Sequence, residues 1–310
     1  MKMLKFRVLI FFCVFLAAVV PAKASDLWLK NIPVEKLEKL YDDIGYEGAR
    51  GYLMLEKHEY PRVFLKNFPI GYENISDEEK RAVLFIKILA PLALKINEDI
   101  AEERENILRI EQRFAQKKKL SSKEKNEIEK KAEKYDVFSR MTGDDRYIYL
   151  IDELLNRVDI IPPSIMIVAA AIETNWGASR VVKDGNSLYK KLVWHTKEGL
   201  KPVGETEDDS YRIKKYDNIF ESMQEFALGF NSRPAYKAMR NFRRELKQFN
   251  NLQGMVIAPY VYGSSEMKNY AGVFDYTLAY YELMEIDKSS LADNMDRQML
   301  GNKYKDYIAK

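Results

Sequence analysis

The sequence predicts a mainly α protein with one small β-lobe, and three observations carry that reading. Apolar residues recur at helical spacing through Val83, Ile86, Leu89, Leu92, Ile96, Ile100 and Ile107. Residues 165–172 carry no charge at all, as expected of a helix buried on most sides. Between residues 191 and 216 the character changes. Residues 192–195 and 211–216 read as strands. The loop between them holds Gly199, Pro202 and Gly204 and five acids, Glu198, Glu205, Glu207, Asp208 and Asp209.

The chain opens with Lys2, Lys5 and Arg7, then an apolar core over residues 8–20, then Ala22-Lys23-Ala24. Small-x-small is the form of a cleavage site, so residues 1–24 read as a signal peptide cut after Ala24. Its apolar run is short for a membrane span. A periplasmic or secreted protein with no stable membrane span is expected. Cys13, the only cysteine, lies inside this segment. The remainder has no disulfide and must rely on its packed core. The mid-core position of Cys13 argues against a lipid-anchored cysteine. The segment carries four basic residues and no acid, so its removal takes the formal charge from +3 to −1. That balance gives no reason to expect a nucleic-acid partner.

Residues 25–80 mix short helical patterns, marked by Trp28, Leu29, Leu37 and Leu40, with Pro33, Pro61 and Pro69. Residues 77–113 form a strong helical stretch, capped by Ser76 and the acids after it. Pro91 predicts a kink or break near Leu89. Residues 102–134 are highly charged, with a turn at Leu120-Ser121-Ser122. They read as an antiparallel helical hairpin with a solvated face. Residues 136–157 place Tyr147, Leu150, Ile151, Leu154 and Leu155 on one helical face. Asn218 and Glu221 resemble a capping box ahead of Phe220, Met223, Ala227 and Phe230. Pro234 opens another helix with Tyr236, Met239 and Leu246 inward. The polar tail after Ile286 reads as a peripheral helix.

The chemistry concentrates on IPPSIMIVAAAIETNWGASR, residues 161–180. Proline suits the first turn of a helix, Ser164 is a candidate cap, and Asn175 and Gly177 are candidate terminators. Glu173 then stands in the last turn of a buried helix. An acid in apolar surroundings at the negative end of a helix is held toward its protonated form, which a general acid needs. Position alone leaves a second role open, in which Glu173 pairs with Arg180 or caps a loop.

Other chemistries find little support. Two histidines, His58 and His195, and no cysteine beyond the signal segment do not make a nucleophilic triad. No paired metal-ligand spacing and no phosphate-binding Gly-rich loop is present, and no cofactor is expected. Carboxylate chemistry remains: one acid on a helix end and several on a hairpin loop, a division that suits glycoside hydrolysis. Trp176, Tyr189, Trp194, Tyr216 and Tyr236 are candidates for sugar-stacking surfaces. Taken singly, each also reads as core packing.

The run Leu154-Leu155-Asn156-Arg157-Val158-Asp159-Ile160-Ile161-Pro162-Pro163-Ser164, followed by Ala171-Ile172-Glu173-Thr174-Asn175-Trp176-Gly177-Ala178-Ser179-Arg180, resembles the Bax branch of the bacterial glucosaminidase family. Residues 211–217 and Asn231-Ser232-Arg233-Pro234-Ala235-Tyr236 fit later features of that family. Residues 85–110, with Asn97 and Arg104, resemble the branch's N-terminal region.

The resemblance implies a lysozyme-like helical domain over residues 146–286, with a β-hairpin lobe beside a groove. A helical N-terminal region (25–145) precedes it and a C-terminal tail (287–310) follows. It implies hydrolysis of the β-1,4 bond on the reducing side of N-acetylglucosamine in peptidoglycan glycan strands. Glu173 maps onto the family's general acid. Glu198 is the best match for a second carboxylate, with Glu205 and Glu207 as alternatives. Tyr236 maps onto a tyrosine that orients substrate or water. Two rival readings are a lytic transglycosylase and an inactive wall-binding or assembly protein. The N-terminal helices are a candidate surface for a cell-wall protein partner. The chain departs from the family where it has Asn186-Ser187-Leu188-Tyr189-Lys190 in place of the usual NNLFG, and in lacking the cysteine pair often found near the hairpin.

Overall fold

The computed structural model describes residues 26–46, 58–117, 119–202, 204, 211–248, 252–262, 269–293 and 297–309. The expected signal peptide and Glu205 and Glu207 lie outside the described residues. In chain order the elements are β1 (Leu27–Leu29), α1 (Val34–Asp43), β2 (Glu59–Tyr60), β3 (Val63–Leu65), α2 (Glu78–Lys117), α3 (Ser122–Lys134), α4 (Gly143–Arg157) and α5 (Pro163–Thr174). There follow α6 (Arg180–Gly185), β4 (Leu192–Trp194), β5 (Tyr211–Ile213), α7 (Ile219–Ser232), α8 (Lys237–Gln248), α9 (Gly254–Ile257), α10 (Pro259–Tyr262), α11 (Tyr270–Tyr280), β6 (Ser290–Leu291) and α12 (Arg297–Lys303). The protein is mainly helical, with the expected antiparallel β4–β5 pair. Among the described residues, no helix is long and apolar enough to cross a membrane.

Residues 25–80 contain strand as well as helix. β1 pairs in parallel with β3, and β2 pairs in parallel with β6 from the far end of the chain. The tail after Ile286 is built into the body and does not lie on its periphery. Leu291, Leu300 and Tyr304 are buried. Lys30 N donates to Tyr307 O, and Ala309 N donates to Trp28 O. The apolar residues of this tail were too few to show helical periodicity, because their partners are the first strands.

α2 runs through Pro91 for 40 residues without the break that was one of the two expected outcomes. Proline lacks the N–H that would donate to the carbonyl four residues earlier, which is Lys87. The Tyr46 hydroxyl stands 3.4 Å from that carbonyl and supplies a donor from outside the helix. Burial of residues 81–94 on nearly all sides supports the helix through the defect. Beyond residue 100 the helix pairs antiparallel with α3. Glu103 meets Lys131 and Lys134, and Arg113 meets Glu124. Ser121 and Glu124 form a capping box at the α3 start. Much of the hairpin's charge is satisfied internally.

The link between α4 and α5 is held from three sides. Each backbone carbonyl from residue 155 to residue 161 accepts a hydrogen bond from a side chain on α2, α7 or α8. Arg104 donates to Leu155 and Val158. Arg243 donates to Asn156, Arg157, Asp159 and Ile160. Asn231 adds a second bond to Asp159, and Asn97 takes both the carbonyl and the N–H of Ile161. The Asp159 carboxylate is buried, with Arg104 at 3.4 Å and Lys247 at 2.8 Å. A buried guanidinium is tolerated only where its donors are matched. Arg243 meets that condition, though burial brings its guanidinium down to about 10. Arg240, also buried, donates to Phe230 and Arg233 at the end of α7. Replacing Arg243 by Met leaves the Asn156 and Ile160 carbonyls without donors. It should lower unfolding free energy by at least about 3 kcal/mol, read as a shifted urea midpoint.

Candidate active site

α5 is apolar from Ile165 to Ile172, and its ends depend on other segments. Pro162 and Pro163 begin it without needing N–H partners. Ser164 does not cap the helix itself. It is held by Asp287, whose carboxylate accepts from Ser164 N at 2.9 Å and from Ser164 Oγ at 2.8 Å. Gly254 N donates to the same carboxylate at 2.7 Å. A Cβ at Gly254 would collide with Ser164 Oγ, so this approach requires glycine. Burial pushes the Asp287 carboxyl up to about 6, against the lowering effect of these hydrogen bonds.

The far end of α5 stops as expected at Asn175 and Gly177, by a sharper device than a single cap. Asn175, Trp176 and Gly177 all have positive φ, at 50°, 55° and 76°. Thr174 Oγ1 donates to Ala170 O and accepts from Gly177 N. A Cβ at Gly177 would stand 2.9 Å from the Phe68 ring. The turn leaves Glu173 on the wall of a groove of about 710 Å³.

Three layers line that groove. Ala169 and Glu173 come from α5, Tyr189–Leu192 from the approach to β4, and Ser222, Glu225, Phe226, Gly229 and Phe230 from α7. Tyr216, Arg233, Tyr236, Val261 and Tyr270 complete it. Tyr189 stacks on Phe226 at 3.8 Å and donates its hydroxyl to Met166 O. Tyr236 packs on Phe230 at 4.3 Å. Burial first, and then the charge of Glu173, push the Tyr270 hydroxyl up, which places Tyr270 within electrostatic reach of that acid.

Glu173 does not pair with Arg180, which faces Asp184 and the Lys201 carbonyl. Its partner is Lys190, with Nζ 3.6 Å from Oε2, and its side chain is 28% exposed. The wall around this acid is therefore less apolar than the sequence suggested. Lys190 holds φ at +45°, the left-handed region that favours glycine.

The structure brings Glu173, Tyr189, Tyr216 and Tyr236 together and leaves Trp176, Trp194 and Glu198 elsewhere. Trp176 packs in the body against Phe85 and Tyr281, at 5.7 and 4.8 Å. Trp194 is 58% exposed on β4 beside Tyr211, outside the groove lining. Glu198 is exposed, its N–H bonded to Thr196 Oγ1, and also lies outside that lining. Glu225 is the other carboxylate of the groove among the described residues, and sequence reading missed it. Burial opposes its charge, yet hydrogen bonds from Lys191, Lys214 and Tyr216 bring it down to about 2. One signal was present: lysines at the outer ends of both strands need an acid to face.

Residues 149–283 match the family model described as glucosaminidase, mannosyl-glycoprotein endo-beta-N-acetylglucosaminidase. These residues form a glucosaminidase-family domain. It contains Glu173 and the whole groove. The chain is also 29% identical over 188 residues to Protein bax of Escherichia coli (strain K12), covering 59% of this chain. The chain spans 60% of the length of that relative. The crystal structure of the catalytic domain of the autolysin Auto from Listeria monocytogenes aligns with 54% of this chain and 99% of its own, at 19% identity and a TM-score of 0.32.

Two measurements check how the ends of α5 are set. The Asp287 carboxyl binds its proton up to about pH 6 when folded and only to about 3.8 when unfolded. Its contribution is therefore fully present below 3.8 and is lost as pH rises to about 6. The loss should be roughly 2–3 kcal/mol, and Asp287→Asn should flatten the stability profile in that window. Gly177→Ala forces a side chain into a left-handed position against Phe68, and should cost about 1–3 kcal/mol in a denaturant titration.

Proposed function

We propose that the chain is an exported peptidoglycan hydrolase that cleaves the β-1,4 bond on the reducing side of N-acetylglucosamine. One observation carries the reading: Glu173 ends a buried helix on the wall of an aromatic-lined groove inside the glucosaminidase-family segment. In this reading Glu173 protonates the glycosidic oxygen as general acid. Tyr189, Tyr216 and Tyr236 offer faces or hydroxyls to the sugars. Glu225 stays an anion held between Lys191 and Lys214, and this clamp keeps it from serving as an acid.

A binding-protein reading has one observation in its favour. Lys190 occupies the position of the family's usual glycine and engages the acid that chemistry requires. Purified peptidoglycan digested with the chain and with Glu173→Gln separates the readings, with the new ends identified by mass spectrometry. New reducing N-acetylglucosamine ends are expected, formed at least about 100-fold more slowly by Glu173→Gln. Anhydro-muramic ends would replace the hydrolase by a transglycosylase. Wall binding with no Glu173-dependent product would leave the binding protein.

A further inference from the structure

The charges lining the groove do not balance. Glu225 is already met by Lys191 on one side and Lys214 on the other. Glu173 is met by Lys190, and both side chains are partly open to solvent, at 28% and 42%. Arg233 also lines the groove and is exposed, and among the described residues it has no acidic partner. Its position is shaped by the residue below it. The guanidinium lies across Gly229, where a Cβ would stand 3.5 Å from Nε and 3.6 Å from Cζ. The groove thus holds more cations than its own carboxylates use, in a cleft where fields are focused.

Lys190 adds a second, independent sign. A non-glycine residue in the left-handed region carries a backbone cost of about 1–2 kcal/mol. The side chain so placed reaches the candidate acid at 3.6 Å, longer than a close charge-assisted hydrogen bond. Such a pair can exchange its carboxylate for another without losing much. We propose that Lys190 and Arg233 form a carboxylate-binding subsite in the Glu173 groove. It selects amino-sugar chains bearing acids over neutral ones, and binding draws Lys190 from Glu173 onto the substrate.

This deepens the peptidoglycan reading and rests on it for the identity of the chain being bound. Two groups on such a strand supply the chemistry: the lactyl carboxylate of muramic acid where the peptide has been removed, and the carboxylates of an intact stem peptide. Lys190 is a specificity residue here, because it touches the substrate's acid and not the bond that breaks.

Binding is the primary test, measured with the full chain carrying Glu173→Gln so that no strand is consumed. The probes are peptide-bearing strands, strands freed of peptide, the carbodiimide-amidated form of each, and neutral N-acetylglucosamine oligomers. Amidation is expected to weaken binding about tenfold, the scale of one charge-assisted hydrogen bond. Adding Lys190→Gly and Arg233→Gln should shrink that difference below about twofold, with thermal midpoints unchanged. Glycine suits the positive φ at residue 190, so this variant keeps the backbone. Preference retained on peptide-free strands assigns the lactyl group, and preference only on peptide-bearing strands assigns the stem peptide. Equal binding of acid and amidated strands overturns the proposal, as does a preference that survives the double substitution, or no measurable binding to any probe. The wild-type digest stands apart. Charge-selective binding without cleavage sinks the hydrolase and keeps the subsite, whereas cleavage without charge preference does the reverse.

Discussion

The side-chain donors on the α4–α5 link fix everything downstream. Of seven successive carbonyls at the end of a helix and in the turn after it, Arg157 O also accepts from Asp159 N, and the others depend on side-chain donors. Arg104, Arg243, Asn231 and Asn97 supply the donors, and they come from helices far apart in the chain. By meeting these groups, α2, α7 and α8 are locked to one another as well as to the link. α5 then leaves the link in a single direction, and the groove forms between α5 and α7. The Arg-Val-Asp sequence before the prolines is therefore a docking point for the scaffold.

Much of the helical frame was legible because its signals are local. The capping pair Asn218 and Glu221, the turn near Ser121 and the apolar run of α5 each announce themselves within a few residues. The failures share one cause. Pro91 looks like a breaker because the hydroxyl that serves Lys87 O belongs to Tyr46. Arg240 and Arg243, in a segment that reads KAMRNFRRELKQ, drew no attention because their acceptors are carbonyls, which every sequence has and none displays. Trp176 looks like a sugar platform until a left-handed backbone turns it toward Phe85.

The candidate site was legible at Glu173 and at three tyrosines, and opaque in its electrostatics. An acid at the end of an apolar helix suggests low polarity around it. The chain instead brings Lys190 across the groove, and stations Lys191 and Lys214 on either side of Glu225. Such pairings depend on the tilt of the β4–β5 pair against α7, which no spacing rule encodes. The acidic loop between the strands drew attention by its composition. The acid that shares the groove with Glu173 came instead from an ordinary amphipathic helix.

Asp287 lies 123 residues beyond Ser164, yet it closes the first turn of α5. During synthesis that turn waits, its donors open to water, until the ribosome has passed residue 287. Before then the helix carrying Glu173 lacks its anchor, and β1 lacks the tail that covers its edge. A chain that stops short of residue 287 therefore lacks the acceptor for the Ser164 donors. A contact so distant in sequence closes late in folding, because a long stretch of chain must be ordered before the carboxylate can reach its donors.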